Sequence, residues 1–127
     1  MPRFVILRHE TPSGYPRPSH FDLMLEHGSV LRTWACEALP THGQSIAAEQ
    51  LADHRPDYLY FEGAVSPFRG SVVRIAAGDY KLLEETDSLV RVRLSGPQLS
   101  GELALARDAA LPQRWWVSLA LADSPSA

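Results

Sequence analysis

The sequence predicts a mostly β, antiparallel fold, a barrel or a sandwich, and three observations carry that prediction. Short apolar runs rich in Val, Tyr, Phe and Trp recur along the chain at near-regular spacing. Gly, Pro, Asp and Ser punctuate the gaps between them. Several runs alternate with period two, most plainly His20-Phe21-Asp22-Leu23-Met24-Leu25 and Val90-Arg91-Val92-Arg93-Leu94. A single domain over residues 1–127, with its core in about 3–121, is expected, because 127 residues can bury one sizeable core. Hydrophobic content of 45% and a charged fraction of 21% exclude a disordered chain. The net charge of −3 argues against an extended nucleic-acid footprint. It leaves room for a small site where a few arginines and a metal meet one phosphate. Cys36 is the only cysteine, so no internal disulfide can form, and it reads as a buried free thiol in a reducing cytoplasm. Arg3 precedes only four apolar residues, which is not a signal-peptide pattern. No apolar run approaches the roughly 20 residues that cross a bilayer. A soluble, cytoplasmic protein with no membrane contact is expected.

In order along the chain, Phe4 to Leu7 reads as a short buried strand with charge at both ends. Thr11 to Ser19 carries three prolines and reads as a loop. His20 to Leu25 is a strand whose faces separate cleanly, with His20, Asp22 and Met24 on a site face and Phe21, Leu23 and Leu25 on a core face. Glu26 to Ser29 reads as a hairpin turn, with Gly28 free to take positive φ, and Val30 to Cys36 as the returning strand. Leu39 to Gly43 is a second loop. Ser45 to His54 is the best helical candidate, since Ile46, Ala47, Ala48, Gln50, Leu51 and Ala52 all tolerate helix and Pro56 stops it. Strands are then expected in Tyr58–Gly63, Gly70–Ala76, Tyr80–Glu84, Leu89–Leu94, Leu103–Leu105 and Trp115–Leu121, with a frayed tail from Asp123 to Ala127. Trp34, Trp115 and Trp116 read as core rather than as base-stacking platforms, and because Trp115 and Trp116 point to opposite faces of a strand one of the two is expected at the surface.

Chemistry concentrates in the first of these segments. His20 and Asp22 project from one strand face about 7 Å apart along the backbone, and His9 ends the preceding strand. Two imidazoles and a carboxylate can hold a divalent metal while leaving positions open for water or substrate; zinc, manganese and iron all suit those ligands. In Asp53-His54-Arg55-Pro56-Asp57-Tyr58 an imidazole at His54 could donate to a leaving oxygen or contact a phosphate, and Tyr58 could donate a hydrogen bond, while spacing alone equally allows Asp53 and Asp57 simply to pair with Arg55 at the surface. His27 and His42 lie in polar turns and read as surface residues. Arg91 and Arg93 share a face that reads as solvated.

The order Phe4-Val5-Ile6-Leu7-Arg8-His9, His20-Phe21-Asp22-Leu23-Met24-Leu25-Glu26, Trp34-Ala35, Asp53-His54-Arg55-Pro56-Asp57-Tyr58 and Phe61-Glu62-Gly63 resembles the 3′-phosphoesterase module of bacterial DNA ligase D. The resemblance continues through Gly78-Asp79-Tyr80, the run from Leu94 to Arg107, and Trp115, and so spans about Arg3 to Leu119. It implies a compact antiparallel β-barrel with one or two short helices, here a divergent member that stands alone. It implies an enzyme that removes a 3′-phosphate or 3′-terminal ribonucleotide with manganese or a similar divalent ion. His9, His20 and Asp22 fall on the metal ligands. His54 falls on the histidine that contacts the scissile phosphate, and Tyr58 on the tyrosine beside it. The implied partners are DNA 3′ ends or another phosphorylated substrate, together with non-homologous end-joining proteins.

Several phosphate-binding positions depart from the family pattern. Met24 stands where the family has an arginine on the metal face, and a thioether cannot bind phosphate. Glu37 and Ala38 occupy the region of a missing basic residue after Trp-Ala. Ile46 replaces an arginine, the loop Ala64 to Gly70 is short, and Ile75-Ala76 replaces a Trp-Asp pair. Arg8 and Arg32 are the candidates to bind substrate instead, with Arg17 and Arg69 as further basic residues. A second reading is a non-catalytic interaction module that kept the barrel and lost its phosphate clamp. A third, a non-haem iron site in a jelly-roll barrel, needs a second histidine close in space.

Overall fold

The computed structural model describes residues 1–121. Among these residues nine strands form one antiparallel sheet: β1 (Arg3–Glu10), β2 (His20–His27), β3 (Val30–Cys36), β4 (Ser45–His54), β5 (Gly63–Ala64), β6 (Ser71–Thr86), β7 (Leu89–Ser95), β8 (Gly101–Arg107) and β9 (Arg114–Ala120). The strand order is β1-β2-β3-β4-β9-β8-β7-β6-β5, and β6 also pairs with β1, so eight strands close into a barrel with β5 as a short outlier. The barrel expected from the resemblance is present. The tail from Asp123 to Ala127 lies outside the described residues. Among the described residues no helix is long and apolar enough to cross a membrane.

One core cluster draws a residue from each of the eight strands and fills the barrel. It includes Phe4, Ile6, Leu23, Leu25, Trp34, Cys36, Leu103 and Trp115, with the rings of Trp34 and Trp115 edge to face at 5.7 Å. Burial pushes the Cys36 thiol up to about 12, so it is inert at neutral pH. A second apolar cluster, Val5, Leu7, Met24, Leu31, Leu59 and Val72, lies on the other face of the same strands. The site face and core face expected for His20 to Leu25 are therefore both present, and Met24 belongs to the apolar floor beneath the site.

Three local expectations are corrected. Ser45–His54 is strand, not helix. It is bonded to β3 on one side and β9 on the other, and Ile46 and Ala48 alternate inward. Two flanking ladders outweigh a helix propensity that amounts to a few tenths of a kcal/mol, roughly, per residue. Among the described residues, regular helix is confined to one 3₁₀ turn, Pro56–Leu59, where the sequence suggested the start of an aromatic strand. Pro56 sits in its first turn, as fixed φ favours, and Leu59 is buried as its anchor.

The runs 70–76 and 80–84 belong to one strand, β6, which changes partner along its length. Its first half pairs with β1 and its second with β7, and Asp79 faces both Arg3 and Ser95. Gly78 makes this handover sterically possible. A Cβ there would overlap the Ser95 carbonyl and lie 2.7 Å from Gly96 Cα and 2.9 Å from the Phe4 ring. Gly78→Ala is expected to cost about 1–3 kcal/mol through overpacking, seen as a lower urea midpoint. An unchanged midpoint would contradict this account of closure.

Candidate metal centre

His9 and His20 are directly paired across β1 and β2, and Asp22 lies two residues along β2. Such residues share a face, here the outer one. One nitrogen from each imidazole and one carboxylate oxygen lie within 4.8 Å of one another. His20 Nε2 is 2.9 Å from Asp22 Oδ1, and His9 Nδ1 is 3.5 Å from Oδ2. All three residues are buried, Asp22 to 3% exposure.

Each imidazole is held from behind by a backbone carbonyl. His9 Nε2 donates to Arg69 O at 2.7 Å, and His20 Nδ1 donates to Pro18 O at 2.8 Å. A carbonyl only accepts, so these outer nitrogens carry the ring protons and the inner ones present lone pairs when neutral. Two lone pairs and a carboxylate then face one another with no donor among them. Buried Asp22 Oδ1 has no hydrogen-bond partner. Such a set calls for a cation. Histidines whose far N–H rests on a carbonyl are oriented as metal ligands are, and two imidazoles with one carboxylate suit manganese, zinc or iron. The residues fit a divalent ion.

A proton can stand in for that ion. The contact with Asp22 raises the His9 pKa above its ordinary 6.5, against the opposing effect of burial. Burial pushes the Asp22 carboxyl up, but its contacts with His20 and His9 together outweigh burial and bring it down to about 2. The His9 contribution to stability is therefore full below pH 6.5 and is lost as pH rises through its raised folded value. A divalent metal held by these residues would compete with that proton. Manganese is expected to raise the melting temperature more at pH 8 than at pH 6; an equal gain at both would show that His9 is not a ligand.

The three residues open into a cavity of about 330 Å³ whose lining also includes Tyr15, Arg17, His54, Tyr58 and Arg69. His54 arrives there through a bulge. Between β3 and β4 the register runs from Thr33 opposite Leu51 to Leu31 opposite His54, which inserts an extra residue and shifts the alternation. Leu51 and His54 consequently both line the cavity although they are three residues apart. His54 Nδ1 donates to Ala52 O at 2.8 Å, leaving Nε2 free. The Tyr58 ring meets the His54 ring edge to face at 5.5 Å and is itself backed by Phe61 at 5.9 Å. The loop after β5 closes the cavity side nearest His9. There Gly70, at φ 83°, packs so closely that a Cβ would overlap the Glu10 carbonyl, and this contact brings the Arg69 carbonyl to His9.

Of the predicted site residues, His9, His20, Asp22, His54 and Tyr58 are brought together, and Arg8 and Arg32 are not. Arg8 follows the core parity of Phe4 and Ile6, reaching over the Phe21 ring to pair with Glu10. Arg32 shares the parity of Trp34, stacks on its ring at 5.3 Å and pairs with Glu85 at 2.6 Å. Alternation alone excludes Arg8, because neighbours on a strand face opposite ways and His9 takes the site side. The basic residues at the cavity are Arg17 and Arg69, both from loops, where periodicity carries no information.

Fold and site together define a small β-barrel protein with a two-histidine, one-carboxylate cluster beside a further histidine and two arginines. The family model of the DNA ligase D 3′-phosphoesterase domain matches residues 8–107, and the chain belongs to that family. Comparison with curated proteins gives no match.

Proposed function

We propose that this chain is a divalent-metal-dependent phosphoesterase, with manganese the favoured ion, that removes a 3′-phosphate or a 3′-terminal ribonucleotide from a DNA end. The observation that carries the reading is the convergence of three acceptors, with Asp22 Oδ1 unpaired, in a cavity also lined by His54, Arg17 and Arg69. His9 Nδ1, His20 Nε2 and Asp22 would hold the ion, whose chemistry there is to polarise a phosphoryl oxygen and acidify a water. Arg17 and Arg69 bind the remaining phosphoryl oxygens and take the role expected of Arg8 and Arg32. His54, kept in one tautomer by Ala52 O, donates from Nε2 as imidazolium to the sugar 3′-oxygen as its bond to phosphorus breaks. Tyr58 fixes the ring plane.

The ligand set alone would also suit non-haem iron. Family membership and the two cavity arginines favour phosphoester chemistry over oxygen chemistry. The test is phosphate release from a primer–template bearing a 3′-phosphate, with and without manganese. Manganese-dependent release supports the reading; metal binding without release from any 3′-phosphorylated or 3′-ribonucleotide end favours the interaction-module alternative. Non-homologous end-joining proteins remain the partner class that the resemblance suggests.

A further inference from the structure

A second, larger concavity of about 810 Å³ adjoins the metal cavity and shares Pro16, Arg17 and His20 with it. Its floor follows a row of directly paired residues across the outer face: Asp22 opposite Ala35, Ala35 opposite Glu49, and Glu49 opposite Arg114. At the usual strand spacing, Asp22 and Arg114 are about 14 Å apart along that row. Ala35 and Ala47 keep the floor low. The walls are Pro16 and Pro18 on one side and Leu111 and Pro112 on the other, with Leu111 52% exposed. Glu37 and Glu49 also line it. Arg17 stands at the junction and pairs with Glu49 at 2.8 Å. Glu37, by contrast, has no ion-pair partner among the described residues. A concave, largely apolar lining with a few convergent polar groups is the usual form of a small-molecule site.

We propose that this groove seats the nucleoside that carries the scissile phosphate, with its base between the proline walls and its amino edge on Glu37. The inference rests on the phosphoesterase reading and deepens it. A 330 Å³ cavity accommodates a phosphoryl group with its ion and water, so the esterified sugar and base must extend out of it, and the groove continues from it across Arg17. The lining selects the occupant. The charges of the groove balance, Arg17 and Arg114 against Glu37 and Glu49, so it offers no run of cations to a nucleic-acid backbone along the floor. Flat apolar walls with the unpaired Glu37 carboxylate as acceptor instead match a base bearing an exocyclic amine, as carboxylates accept from cytosine N4. Terminal cytosine is therefore preferred over thymine.

The test is calorimetric titration of chelator-treated protein, in which turnover does not intrude, with 2′-deoxycytidine 3′-monophosphate, thymidine 3′-monophosphate and inorganic phosphate. The deoxycytidine nucleotide is expected to bind roughly tenfold more tightly than either of the others. Ala47→Phe, which fills the floor from the outer face of β4, is expected to reduce nucleotide binding to the level of inorganic phosphate and leave phosphate binding unchanged. Glu37→Gln, at an exposed position, removes the cytosine preference without affecting the fold. Nucleotides that bind no better than phosphate, or an Ala47→Phe protein that binds them as well as wild type, would overturn the proposal. Phosphate release is scored separately on manganese-loaded protein. Binding with the expected pattern but without release would uphold the groove and refute the phosphoesterase.

Discussion

Asp22→Asn is expected to lower metal affinity by at least about 100-fold while leaving the barrel folded. Changing partners outside the ligand set already costs 10–100-fold, roughly, in affinity at metal sites, and this change removes a ligand charge. The amide keeps the shape of the carboxylate, and its NH₂ can donate to one of the two inward imidazole nitrogens. Above the raised His9 value, where no proton bridges the cluster, the metal-free variant also loses an uncompensated carboxylate buried to 3% exposure, so its melting temperature there should match or exceed that of the metal-free wild type. Opposite effects on metal binding and on metal-free stability distinguish a binding site from a structural ion pair. Calorimetric manganese titration beside thermal melts reads both. If Asp22 instead serves as a structural partner of His9 and His20, the variant will melt early and bind metal no worse than wild type.

His54→Ala is expected to reduce phosphate release by about 10²–10⁴-fold, the usual contribution of a positioned acid or base. Metal affinity should not change, because His54 lies outside the cluster of inward nitrogens and carboxylate. Single-turnover hydrolysis at saturating manganese separates this effect from any loss of binding. A variant that turns over as fast as wild type would assign His54 to packing against Tyr58 alone. Tyr58→Phe keeps the edge-to-face contact with His54 and should lose far less, which isolates the imidazole as the acting group.

The cluster of two histidines and a carboxylate was legible in the chain because it rests on strand alternation. His20 and Asp22 share a parity opposite to Phe21 and Leu23, and His9 closes a strand that pairs with theirs, so the three meet without help from any loop. The basic side of the cavity was not legible in this way. Arg17 reaches the cavity from a proline-bearing loop and Arg69 from a tight turn anchored by Gly70, and neither position follows a period. His54 was placed by resemblance to the family, and the geometric device that delivers it is a bulge, which spacing does not announce. β4 misleads for a related reason. Its alanines, glutamate and glutamine are good helix formers, yet β3 and β9 claim both of its edges. Tertiary pairing outweighed local preference there, and Pro56 converted the following aromatic run into a 3₁₀ turn whose Leu59 covers the outer face of β1 and β3.

The most direct test of the account is manganese titration of chelator-treated protein, with ion binding and phosphate release from a 3′-phosphorylated oligonucleotide followed in the same samples. The account predicts that both saturate together at one ion per chain and that Asp22→Asn shows neither. Release that proceeds fully without added metal, or saturated binding with no release from any 3′-phosphorylated or 3′-ribonucleotide end, would contradict it.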